Sequence, residues 1–286
     1  PARRAERPAL LAVLHGGGGD ARLIARITRF DEVSEREGLI AVYPEAVDKA
    51  WNDGRRPATG STPVHEVDDA GFLAMLIETL VLQHGLDPAG VFVTGASNGA
   101  MMCHRLACER SELVGGLGMV MGSIPAGLYD TLAPSRPVPA LLINGTSDPI
   151  VPWKGGPVRV GTREHGQVVS VEDCVAFWVR HNRAAAAAER EWLPKTGGGE
   201  TRAWRQVYPA HDTGADVVFY GVDGGGHTWP GGEQYLAEWI IGKTNRDFDA
   251  SQTIWQFNRN DSRLTRSLWP WTPRAMSGVV RPPENP

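Results

Sequence analysis

Short apolar runs alternate with longer amphipathic stretches along this chain, and that alternation leaves few folds open. Leu10 to Leu14 is apolar at every position and runs into a glycine cluster; residues 21–37 read as helical, and residues 39–43 form a second apolar run. Across residues 68–83, Leu73, Leu76, Ile77 and Leu80 fall at i, i+3, i+4 and i+7 of one helix face, and Gly85 and Pro88 close the segment. Further strands are expected at 91–94, 117–121, 140–143 and 217–222, with helices at 98–109 and 168–182. Strands that alternate with helices imply right-handed crossover connections. The pattern therefore predicts an α/β fold, with a mainly parallel central sheet, helices on both faces, and a ligand site beyond the carboxyl ends of the strands.

The 286 residues show no internal repeat and no Pro-, Gly- or Ser-rich linker, so a single domain is expected over residues 1–262. Residues 263–286 are polar and Pro-containing and read as a surface tail, with Trp269 and Trp271 as anchors. A net charge of −4 offers no basic stripe for nucleic acid. No run of 18 apolar residues is present, so no membrane span is expected. The first residue is Pro1 rather than Met, which leads us to expect an upstream segment and leaves the compartment open. Cys103, Cys108 and Cys174 form no CxxC pair and have no ligand spacing with His, which predicts neither a metal site nor a disulfide framework. Cys174 shares a stripe with Val171, Val175 and Trp178 and reads as core.

Chemistry enters at Gly95-Ala96-Ser97-Asn98-Gly99. In a chain with 34 glycines a G-x-S-x-G pentapeptide is weak evidence by itself. Its setting strengthens it, because an expected strand precedes it and an expected helix follows, as in the nucleophile elbow of the α/β-hydrolase fold. A serine hydroxyl needs a neighbouring base. Of the eight histidines, His227 lies just past the 217–222 strand in a glycine-rich loop, at the same sheet edge as Ser97. His104 is expected within the elbow helix, and His211 precedes the last strand. Asp148 follows the 140–143 strand and sits between Ser97 and His227, the chain order Ser, Asp, His that this fold requires. Asp223 and Asp173 are the weaker substitutes, and a turn-capping role is the competing reading for Asp148.

The tetrahedral intermediate of acyl transfer needs oxyanion donors. His15-Gly16-Gly17-Gly18-Gly19 follows the first strand like a lipase His-Gly-Gly-Gly loop, and it suggests the Gly17 and Asn98 N–H groups. Trp51, Trp153 and Trp229 each follow an expected strand end; they would either wall a cleft that stacks an aromatic acyl group or serve as ordinary rim packing. Two rival readings stand beside this one. Gly16-x-Gly18-x-x-Ala21, with Glu45 after the next strand, fits a dinucleotide-binding fingerprint and would make the chain an oxidoreductase. A hydrolase-fold protein that only binds its ligand is the other.

The residues together resemble the esterase family that groups poly(3-hydroxybutyrate) depolymerases with feruloyl and acetylxylan esterases. The likeness runs through Leu14-His15-Gly16, Tyr43-Pro44, Trp51-Asn52-Asp53-Gly54, Val67-Asp68-Asp69, Ser97-Asn98-Gly99, Gly145-Thr146 with Asp148, and His227-Thr228-Trp229-Pro230-Gly231-Gly232. It implies an α/β-hydrolase with the triad Ser97, Asp148 and His227, no metal or organic cofactor, a small-molecule or oligomeric ester as substrate, and a secreted or periplasmic location. The chain departs from this resemblance where relatives often carry cysteines: it has Arg183 and no Cys between His211 and Gly214, and Gly17 stands where many have Cys. No polymer-binding domain is visible in the sequence, which favours a soluble ester.

Overall fold

Leu10–Leu14 (β1) is buried at all five positions, and the reason lies in the layers on either side of it. The computed structural model describes residues 8–55, 67–185 and 189–265. Leu10, Ala12 and Leu14 face one core, together with residues of Asp69–His84 (α3), Asn98–Glu109 (α4) and Val171–His181 (α5). Leu11 and Val13 face a second core, built with Ala21–Thr28 (α1), Phe30–Glu37 (α2) and, after the short helix Glu238–Ile241 (α6), Ala250–Thr265 (α7). Successive side chains of a strand point to opposite faces, so a strand covered on both sides must be apolar at every position.

The central sheet runs in the order Ile40–Val42 (β2), β1, Val91–Ala96 (β3), Gly116–Val120 (β4), Ala140–Gly145 (β5), Val217–Asp223 (β10), Arg202–Tyr208 (β9) and Glu191–Trp192 (β8). Strands β2, β3, β4, β5 and β10 are parallel to β1 or to one another. Strands β9 and β8 extend it antiparallel. Register aligns the carboxyl ends: Leu14 pairs with Gly95, Ala96 with Val120, Val120 with Ile143, and Gly145 with Val222. The segments that follow β1, β3, β5 and β10 therefore emerge at one edge, as the alternation of elements predicts.

Four details differ from expectation. The helix expected over residues 21–37 is two helices, because Arg29 takes left-handed geometry (φ 52°, ψ 35°) and ion-pairs with Asp249 at 3.1 Å. The break turns Phe30 into the core, edge-on to Trp229 at 6.1 Å. A hairpin of Gly156–Val160 (β6) and Arg163–Val168 (β7) precedes α5, whose start is set by Ser170 accepting from the Asp173 N–H. The antiparallel edge β9-β8 lacks the continuous apolar run that marks the buried strands. Finally, α7 continues to Thr265, beyond the expected boundary at 262, while Trp269 and Trp271 lie outside the described residues. No helix among the described residues is long and apolar enough to cross a membrane.

Candidate active site

Ser97 sits between β3 and α4 with φ 56° and ψ −119°, a backbone geometry that costs a non-glycine residue of order 1–3 kcal/mol. Its N–H donates to Val120 O (2.9 Å) and its carbonyl accepts from the Met101 N–H (2.9 Å), so the turn is held from both sides. The flanking glycines are demanded by close approach. A Cβ on Gly95 would lie 2.6 Å from the Gly99 carbonyl carbon, and one on Gly99 would lie 2.4 Å from Leu14 O. The strand, the elbow and the first turn of α4 thus touch backbone to backbone.

Beside the elbow, the loops after β5 and β10 are laced together. Ser147 N–H donates to Gly225 O (2.9 Å) and Thr146 N–H to Val222 O (2.9 Å). This brings Asp148 Oδ2 to 2.8 Å from His227 Nδ1, in a pair whose side chains are only 2% and 5% exposed. The other carboxylate oxygen, Oδ1, accepts from the Ile150 N–H (2.8 Å) and the Val151 N–H (2.9 Å). An ionised carboxylate can only accept, so Nδ1 carries the proton and Nε2 is left with its lone pair. The Tyr235 hydroxyl donates to His227 O at 2.9 Å; burial, and then the Asp148 charge, hold this phenol well above the ordinary tyrosine range. Ser97 and His227 line the same cleft, of about 500 Å³.

The glycine loop after β1, His15 to Gly19, lines the same cleft as His227. Gly18 N–H is engaged with Lys49 O (2.8 Å) and Gly19 N–H with Gly16 O (3.0 Å), while Gly17 lies against Asn98, whose Cβ would be 3.6 Å from a Cβ on Gly17. Gly17 and Asn98 are thereby adjacent at the elbow. What holds them was not anticipated from the sequence. The Asn98 side chain accepts from the Trp51 N–H (2.8 Å) and donates to Trp51 O (3.0 Å) and Asp53 Oδ2 (2.6 Å). Trp51 Nε1–H in turn donates to His15 O (2.9 Å). His15 Nε2 accepts from the Ala46 N–H (3.1 Å), which leaves Nδ1–H to donate to Gly16 O (2.9 Å). Asp53 is also bound by Arg55 (2.8 Å). The only sequence signal for this clamp is the Trp51-Asn52-Asp53-Gly54 string, which carries no role when read alone.

The three tryptophans separate. Trp51 lines the cleft with Ser97. Trp153 packs at 6.0 Å from Trp204 and 5.8 Å from Phe219, and its Nε1–H donates to Glu172. Trp229 is buried in the second core and donates to Ser251 Oγ (3.0 Å). Neither Trp153 nor Trp229 walls the cleft, because a position after a strand end does not say to which side the following loop turns. His104 is core: Trp178 Nε1–H donates to its Nδ1 (3.0 Å), Cys174 lies 3.6 Å from Nε2, and burial pushes its pKa down to about 3. The dinucleotide reading of the glycine loop fails on charge. The amino end of α1 is held by two carboxylates, Asp20 on Leu23 N–H (2.9 Å) and Glu45 on Ala21 N–H (3.3 Å), where that reading needs a pyrophosphate.

Comparison with known proteins points the same way. Residues 1–151 match the family described as Esterase PHB depolymerase. The "Putative esterase NocK" of Nocardia uniformis subsp. tsuyamanensis is 30% identical over 263 residues, covering 90% of this chain and 75% of that protein. Acetylxylan esterase A of Emericella nidulans is 27% identical over 132 residues, and the match covers 45% of this chain but only 42% of that protein. In structure, the acetyl xylan esterase from Aspergillus awamori superposes with a TM-score of 0.53 at 16% identity, over 80% of this chain and 86% of that one, which shows a shared fold.

Proposed function

The chain belongs to the Esterase PHB depolymerase family of carboxylic-ester hydrolases, and on that premise we propose that it works through an acyl-enzyme on Ser97, with His227 as general base and Asp148 as its orienting acid. One observation carries the proposal: an imidazole whose Nδ1 is committed to a buried carboxylate shares a cleft with a serine held in strained geometry on an elbow. Ser97 Oγ attacks the ester carbonyl carbon while its proton passes to His227 Nε2, and Asp148 stabilises the imidazolium. The oxyanion meets the N–H groups of Gly17 and Asn98, each worth about 2.7–4 kcal/mol to the transition state. Collapse of the intermediate breaks the bond to the alcohol oxygen, which takes the proton from His227. Water, deprotonated by the same nitrogen, then releases the acid and regenerates Ser97.

The cleft supports a small ester more than a long polymer segment. Its walls are largely apolar, from Leu23, Ile24, Ile27, Ile150 and Val158, with Trp51 at the glycine-loop side. The test is a panel of acetyl, butyryl and 3-hydroxybutyryl esters, methyl ferulate and acetylated xylan, read together with fluorophosphonate labelling located by mass spectrometry. We expect label on Ser97 and turnover of the short esters. Retention of wild-type p-nitrophenyl acetate hydrolysis by Ser97→Ala would refute the assignment.

A further inference from the structure

Charge around the cleft is unbalanced in one direction. Among the described residues the lining includes Arg55, Arg163 and His165 and no Asp or Glu. Arg55 is neutralised by Asp53. Arg163 and His165 stand two apart on β7, so both point to the same face of the β6-β7 hairpin, where Val158 and Val160 of β6 also line the cleft. The neighbouring hairpin pair is sorted differently: Arg159 and Glu164 sit opposite each other in register and ion-pair with each other. Among the described residues Arg163 forms no ion pair. His165 is held below the ordinary histidine range by burial and then by the charges of Arg55 and Arg163, so its imidazole favours the neutral form and lies within electrostatic reach of both arginines.

Resting on the ester-hydrolase reading, we infer that the hairpin wall selects esters that carry a free carboxylate, bound by Arg163 with His165 beyond an apolar stretch of substrate lying along Ile150, Val158 and Val160. A planar guanidinium offers a carboxylate two parallel hydrogen bonds, a fit that the point charge of a lysine cannot reproduce. The substrate class is thus a half-ester of a dicarboxylic acid, or an ester of a hydroxy acid with its carboxylate unmodified. Neutral esters meet the same catalytic groups but leave the cationic wall without a partner.

Two matched pairs test this, each differing only by methylation of the carboxylate. Mono-p-nitrophenyl glutarate against its methyl ester places the charge on the acyl side. 3-Acetoxybenzoate against methyl 3-acetoxybenzoate places it on the alcohol side. For one pair, wild-type kcat/KM should favour the carboxylate by about fivefold to tenfold, the lower range for a charge-assisted hydrogen bond at an exposed arginine. That ratio should shrink as salt is added. Arg163→Gln should collapse the ratio through the KM of the anionic member, and Arg163→Lys should keep an intermediate value. The inference is overturned if neither pair shows a preference in the wild type, or if Arg163→Gln slows both members of a pair by the same factor. A wild-type enzyme that hydrolyses none of the four esters and takes no fluorophosphonate label overturns the hydrolase reading as well, which separates the two failures.

Discussion

Replacing Asp148 by Asn isolates the part of the site that sets the proton's position on His227. In the native protein Oδ1 accepts two backbone N–H groups, from Ile150 (2.8 Å) and Val151 (2.9 Å), and Oδ2 accepts from His227 Nδ1 (2.8 Å). An asparagine in this socket must keep its oxygen toward the two amide donors. Turning it round would aim an NH2 at them and leave buried donors unsatisfied, at about 1–3 kcal/mol each. Its NH2 therefore faces Nδ1, which must become the acceptor, and the ring proton moves to Nε2. Nε2 can then no longer take the proton of Ser97. A wrong-tautomer substitution of this kind costs about 10⁴ in kcat, or roughly 5.5 kcal/mol of transition-state stabilisation. The assay is p-nitrophenyl acetate hydrolysis at pH 8, with fluorophosphonate labelling rates and thermal melting to establish that the fold is intact. A folded Asp148→Asn variant with kcat within tenfold of wild type would refute both the tautomer argument and the orienting role of Asp148.

Three further outcomes follow from the same geometry. Asn98→Ala removes every side-chain bond to Trp51 and Asp53, and should lower kcat by roughly 10²-fold as the proposed oxyanion donors, the Gly17 and Asn98 N–H groups, lose alignment, together with about 1–3 kcal/mol of stability measured by urea denaturation; unchanged kcat would show that the clamp is only structural. At position 97 the usual ranking should invert, Ser97→Gly being about 1 kcal/mol more stable than Ser97→Ala by calorimetry, because φ 56° is left-handed backbone that glycine adopts without the Cβ penalty; equal melting temperatures would argue against stored strain. His104 is held neutral, its pKa lowered to about 3 from 6.5 by burial, so between these values the unfolded chain binds the extra proton and stability falls as pH drops. The contribution approaches about 1.4 kcal/mol per pH unit in that window and vanishes above it, and it should disappear in His104→Gln; identical pH slopes for both proteins would contradict it.

Local sequence was enough for much of this protein. Apolar strands between helices report a sheet covered on both faces, because only a strand buried on both sides is apolar at successive positions, as Leu10 to Leu14 is. That Ser97 and the Asp148–His227 pair come to one cleft was legible because parallel register puts every strand's carboxyl end at one edge, so a residue's place after a strand already says which edge it occupies. What stayed hidden depends on contacts between distant segments or on which way a loop turns. Asn98 grips Trp51 across 47 residues, and no periodicity encodes that. The helix break at Arg29 occurs without glycine or proline and is held from Asp249. Trp153 and Trp229 satisfied the same positional rule as Trp51, yet packing turned them away from the cleft. Sequence sets where a side chain leaves the sheet; only the tertiary structure decides what it meets there, since that depends on how separate loops fill the same space.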